Sequence, residues 1–214
     1  VKKIFIIVIT SNRGLCGAFN SNIIKETLRL ARDDYDGRIV EFIGIGKKGA
    51  DILSKTLPIN SRHDAIFDNL NFGVTAEVAL QVMEAFAKGQ CDKVLLVYNQ
   101  FKNAATQVVT TEQFLPILID KNSTKQPSTD YIYEPSQSSI IDELLPKSLK
   151  MQLFKAVRES FASEHGARMT AMHKATDNAT ELRDQLKLTY NKARQAAITN
   201  EILEIVGGAE ALNN

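Results

Sequence analysis

The sequence predicts an α/β domain on a mostly parallel sheet, continued into one very long α-helix. Three observations predict it. Apolar runs of strand length alternate with helix-period segments over the first two-thirds of the chain, and glycine-bearing turns separate them. From about Leu149 to Val206 there is no proline and only one glycine, Gly166.

Lys3 to Thr10 is a continuous Ile, Phe and Val run, the pattern of a strand buried on both faces. Ser11 to Gly17 is a glycine-punctuated turn. Ala18 to Arg32 then sets Phe19, Ile23, Ile24, Leu28 and Leu30 at helical spacing, and Asp36-Gly37 stops it. Arg38 to Ile45 is a second strand, followed by a short helix through Ala50, Ile52 and Leu53. After a polar loop, Thr75 to Lys88 reads as a helix with Thr75 as its N-cap and Gly89 at its close. Lys93 to Phe101 is a third strong strand. This alternation of strands with crossover helices gives a Rossmann-like sheet. Thr106 to Leu118 follows with no helix-length spacer, so an antiparallel edge strand is expected. Asn122 to Ser139, rich in Ser, Thr, Gln and Pro, reads as loop with a short strand at Asp130 to Tyr133.

The last third differs in kind. A helix over Leu149 to Val206 would run roughly 85 Å, far beyond the ~11 residues usual in globular domains. Phe154, Val157, Phe161, His165, Arg168, Met172, Ala175, Ala179, Leu182 and Leu186 step alternately by three and four. After a stutter at Tyr190, Ile198, Ile202, Ile205, Ala209 and Leu212 resume the rhythm. Such a 3.5-residue repeat makes a narrow apolar seam suited to a left-handed coiled coil. The expected division is residues 1–139 and 140–214. A domain of that size covers only part of the seam, so the seam needs a partner, and the unpaired stretch from Phe154 to Leu186 is expected to drive self-association, domain exchange or partial disorder of the long helix. Val1 in place of Met, directly before a strand, suggests a longer protein whose beginning is removed.

Lys+Arg 26 against Asp+Glu 25 leaves a net charge of +1, which argues against a general nucleic-acid surface. Two cysteines make no disulfide framework and fit a reducing compartment. No stretch reaches the ~20 apolar residues of a membrane span. The turn Thr10 to Gly17 sits where phosphates dock on helix amides, but it lacks both the Gly-Lys-Ser/Thr ending and G-x-G-x-x-G. A tight structural turn is the preferred reading, with Cys16 a small buried residue. His165 and His173, about 12 Å apart along a helix, are too far apart for one metal. No catalytic, cofactor or metal constellation stands out. The block Tyr190 to Leu212, by contrast, joins a polar collar to an apolar tip, and an exposed apolar tip calls for a partner.

Three blocks resemble the gamma subunit of the F-type ATP synthase, from end to end of the chain. They are Thr10 to Phe19 with the core Arg13, Gly14, Leu15, Cys16 and Gly17; Ser163 to Met172, continuing through Ala175 to Asn178 and Ala179; and Tyr190 to Leu212, whose Ile-Thr-x-Glu-x-x-Glu-x-x-x-Gly-Ala core is highly specific. Asn12 stands where the family usually has Asp, and the family's N-terminal helix, antiparallel partner of the C-terminal one in a coiled coil, is absent. The resemblance implies a non-catalytic central-stalk rotor without cofactor. Its foot rides on the membrane c-ring with the epsilon subunit, and its coiled coil rises through the alpha and beta hexamer. It implies partner contacts at Arg168, Arg194, Gln195, Ile198, Thr199, Glu201, Ile202, Glu204, Ile205, Val206, Ala209 and Leu212. The implied location is peripheral, on the cytoplasmic face of a bacterial inner membrane. Two other readings compete. One is an α/β nucleotide-binding enzyme domain with a helical dimerisation arm; the other is a coiled-coil adaptor that pairs with itself.

Overall fold

The computed structural model describes residues 2–117, 133–134 and 136–212, with 211 and 212 described by backbone alone. The strand expected at Asp130 to Tyr133 falls, but for Tyr133, outside them, and so does the side chain of Leu212. Two compact units are present, Val1–Thr170 and Ala171–Asn214.

In the first unit five strands form one sheet in the order β3-β2-β1-β4-β5. The strands are β1 (Lys3–Ile9), β2 (Ile39–Ile45), β3 (Ile59–Arg62), β4 (Lys93–Asn103) and β5 (Thr106–Leu115). β1 pairs in parallel with β2 and β4, and β2 with β3, while β5 runs antiparallel to β4 at the edge. Strand β1 shows why the run has no polar alternation. Phe5, Ile7 and Ile9 enter one core cluster, and Ile4, Ile6 and Val8 enter the other. Both faces are roofed by helices, so both must be apolar.

One face carries α1 (Phe19–Arg29) and α2 (Lys47–Leu53), whose Ile23, Ile24, Ala50 and Leu53 fill the second cluster. A π-helical turn, Leu30–Asp34, extends α1, with Tyr35 N–H reaching the Leu30 carbonyl at 3.0 Å. The other face carries α3 (Phe72–Ala87) and the start of α4 (Gln137–Leu212), through Val78, Ala79 and Val82 and through Leu149, Leu153, Ala156 and Val157. At the carboxyl ends of β1 and β2 the backbones nearly touch. Gly46 has φ +98, and a Cβ there would lie 2.1 Å from the Thr10 carbonyl oxygen, so only glycine fits.

Four expectations need correction. Helix α3 begins earlier than Thr75: Asn71 is the N-cap, its Oδ1 accepting from Val74 N–H at 3.0 Å. Thr75 is buried one turn inside, its hydroxyl donating to the Asn71 carbonyl. Both residues are good caps, and the position that leaves the apolar stripe facing the sheet wins. The loop after Leu53 contains β3 and a 3₁₀ turn, Asp64–Phe67, invisible to periodicity because β3 is a short edge strand carrying polar residues. Helix α4 starts at Gln137, ahead of the stretch read from about Leu149, and passes through Pro146 although proline lacks the N–H of an interior helical bond. The seam is also not bare from Phe154 onward. Val157 is 0% exposed in the core, Phe154 stands edge-on to Phe72, and Phe161 stacks on Phe67.

Among the described residues of the second unit, α4 is the one element. Past Ala171 every described side chain is exposed.

Candidate functional site

The first place where predicted residues meet is the turn between β1 and α1. Ser11 and Asn20 fix its two ends, with Ser11 N–H donating to Asn20 Oδ1 at 3.0 Å and Asn20 Nδ2 to Ser11 Oγ at 2.8 Å. Asn20 Nδ2 also lies 3.2 Å from Cys16 Sγ. Cys16 is buried with Phe19 and Ala167, a small packed side chain as the sequence suggested. Leu15 takes the left-handed conformation, φ 64, with its side chain 77% exposed. That conformation is costly for a bulky residue, so the surrounding bonds must hold it.

Asn12 earns its place in this turn with two bonds. Its Oδ1 accepts from Lys47 N–H at 2.9 Å, at the start of α2, and its Nδ2 donates to the Asp64 carbonyl at 2.8 Å. An aspartate could accept the first bond but not donate the second. The departure at Asn12 therefore adds a tie between the turn and the 3₁₀ segment.

Helix α4 closes on this turn from its other side. Arg168 Nε donates to the Gly14 carbonyl and Nη2 to the Arg13 carbonyl, each at 3.4 Å. Nη2 also meets Glu164 Oε1 at 2.5 Å, within a pair that is mostly buried. Two blocks far apart in sequence, Arg13 to Gly17 and Ser163 to Arg168, are thus one structural feature. On the neighbouring side of α4, Ser163 Oγ donates to the Asn99 carbonyl at 3.0 Å, and Asn99 Nδ2 donates to the Phe19 carbonyl at 3.2 Å. Sequence reasoning passed over Asn99. Nothing but a polar residue ending the apolar core of β4 marked it.

The second place is the C-terminal part of α4, described by itself. Arg194, Gln195, Ile198, Thr199, Glu201, Ile202, Glu204, Ile205, Val206 and Ala209 are all exposed, Ile205 by 72%. Ile198, Ile202, Ile205 and Ala209 recur at steps of four, three and four, so they share one face. Thr199 Oγ1 donates to the Gln195 carbonyl at 2.8 Å within the helix. Arg194, Glu201 and Glu204 form no ion pair among the described residues. Below them, His173 lies 3.9 Å from Asp177, one turn on, and His165 packs edge-on to Phe161 in the other unit. The helix surface offers an apolar stripe flanked by free charges. That arrangement suits docking.

Comparison with known proteins agrees. A family model described as ATP synthase matches residues 1–212. The ATP synthase gamma chain of Flavobacterium johnsoniae is 64% identical over 213 residues, covering 100% of this chain and 74% of that one. The chain belongs to the ATP synthase gamma chain family. The gamma chain of a Geobacter species (strain M21) is still 42% identical, over 99% of this chain and 74% of that one. Among solved structures, the central stalk and c-ring of the Tetrahymena thermophila mitochondrial ATP synthase contains a chain 31% identical. It has a TM-score of 0.64 and coverage of 82% and 76%. A chain of the Euglena gracilis mitochondrial ATP synthase, 24% identical with TM-score 0.71, shares the fold over 99% of this chain and 73% of that one.

A gamma chain is a non-catalytic subunit, and the geometry above is one of packing and docking. Among the described residues no helix is long and apolar enough to cross a membrane.

Proposed function

We propose that this gamma chain is the central-stalk rotor of an F-type ATP synthase, with residues 1–139 as foot and 140–214 as shaft. It couples ion flow through the membrane sector to ATP synthesis or hydrolysis at catalytic sites on other subunits. The observation that carries this reading is the exposed face of α4 from Arg194 to Ala209, an apolar stripe beside charges that form no ion pair among the described residues, in a chain of this family. Its partners are the alpha and beta subunits around the shaft, and the epsilon subunit and c-ring at the foot. Its place is peripheral, on the cytoplasmic face of a bacterial inner membrane.

The residues divide the work by chemistry. Ile198, Ile202, Ile205, Val206, Ala209 and Leu212 supply contact without directional bonds, which a surface that turns within a sleeve requires. Arg194, Gln195, Glu201 and Glu204 supply charge and hydrogen bonds that distinguish one rotor angle from another. Thr199 contributes a hydroxyl already tied to its own helix. Mechanical coupling is then thermodynamic linkage. Each rotor angle binds one set of subunit conformations more tightly, and each set binds nucleotide differently.

Reconstitution tests the reading. Alpha and beta subunits supplied with the gamma chain should gain ATPase activity, and Arg194→Ala with Glu201→Ala should cut that activity at least about tenfold, the effect of roughly 1.4 kcal/mol of lost coupling. A gamma chain that co-purifies with neither subunit would overturn the reading.

A further inference from the structure

Helix α4 is held against the sheet unit by two kinds of contact, and they do different things. Leu149, Leu153, Ala156 and Val157 meet the sheet through apolar surface. Such contact resists separation, but it is non-directional and carries no bond that singles out one angle about the helix axis. One stretch further on, the contacts are directional. Ser163, 0% exposed, donates from Oγ to the carbonyl of Asn99 on β4 at 3.0 Å. Asn99, 2% exposed, donates from Nδ2 to the carbonyl of Phe19, the first residue of α1, at 3.2 Å. Three elements are pinned through two buried side chains. Arg168 grips the Arg13 and Gly14 carbonyls beside them.

A buried hydroxyl and a buried amide without apolar substitutes need a reason, because each costs stability unless satisfied. We propose that Ser163 is a positioning residue that fixes the rotational angle of α4 on the sheet domain, with Asn99 tying the strand it grips to α1, so that torque passes between helix and sheet without slip. The inference rests on the rotor reading. A small turn of α4 about its axis would break the Ser163 bond to the Asn99 carbonyl and loosen the Arg168 grip on the turn.

The test uses the assembled ATP synthase in sealed vesicles, reading ATP hydrolysis and ATP-driven ion pumping together. Ser163→Ala with Asn99→Ala should lower the ions pumped per ATP hydrolysed at least about twofold while hydrolysis continues, since the Ser163 bond no longer biases the angle and the tie of its strand to α1 is gone. Leu153→Ala, which weakens the same interface by a cavity, should lower the melting temperature and leave that ratio unchanged. If the double variant does not assemble, Ser163→Ala alone is read by the same ratio. A ratio that stays at the unaltered value in the Ser163 and Asn99 variants, or that falls equally with Leu153→Ala, overturns the proposal. A complex carrying the unaltered chain that hydrolyses ATP without pumping would sink the rotor reading instead.

Discussion

Leu149, Leu153, Ala156 and Val157 on α4 are buried in the sheet unit, whereas Leu182, Leu186, Ile198, Ile202 and Ile205 on the same helix are exposed. The spacing of apolar residues is alike in both stretches. What differs is the company they keep. The first stretch has a β-sheet whose face would otherwise lie bare; the second has no other element among the described residues of its unit. Periodicity reports that a helix face is to be covered, and it says nothing about whether the cover comes from the same chain. Substitution effects on the chain's own stability should therefore separate the two stretches sharply.

The largest contrast is expected from truncating matched leucines. Leu153→Ala should destabilise the chain by about 2–5 kcal/mol in urea denaturation, as loss of a buried leucine usually does. Leu186→Ala should change it by no more than about 0.5 kcal/mol. Comparable losses at both positions would break the comparison, because they would mean that Leu186 is covered within the chain.

Arg168 sits at the border, and Arg168→Gln should cost roughly 2 kcal/mol in the same assay. Glu164 would lose its charge partner and the Arg13 and Gly14 carbonyls their donor. No loss would show that the turn stands without the helix. A smaller effect, about 1 kcal/mol, is expected for Asn71→Ala, which removes the cap of α3. Thr75→Val should not reproduce a cap's loss, which distinguishes the observed helix start from the one expected from sequence.

The smallest effect concerns pH. His63 is partly buried, and burial holds its pKa below the usual 6.5, with neighbouring Asp64 opposing the shift. The unfolded chain therefore takes up the proton more readily than the folded one. The stability linked to His63 is complete above about pH 6.5 and is lost as pH falls through the lower folded value. Melting temperatures recorded at about pH 7.5 and about pH 5.5 should converge slightly in His63→Gln. An unchanged gap would remove His63 from the account.

Much of the architecture was legible because each element is locally consistent. The double-faced apolar runs of β1 and β4 could only be interior parallel strands, and β5 lacked the spacer that a parallel crossover needs. The elements that escaped are those whose cause is tertiary. Strand β3 exists because β2 had a free edge, and the early start of α4 runs through a proline that sequence logic treats as a stop. At the candidate site the exposed stripe was legible from Ile198 to Ala209. The pinning by Ser163 and Asn99 was not, because buried hydrogen bonds between distant residues leave no periodic trace. The turn was legible as a motif, yet its dependence on Arg168 emerged only when both were placed side by side.

The most direct measurement of the central claim is single-molecule rotation. With the alpha and beta subunits fixed to a surface and a probe attached to the foot at Lys25, exposed on α1, ATP should drive the probe around in one direction, step by step. A complex that hydrolyses ATP while the probe stands still would contradict the rotor account.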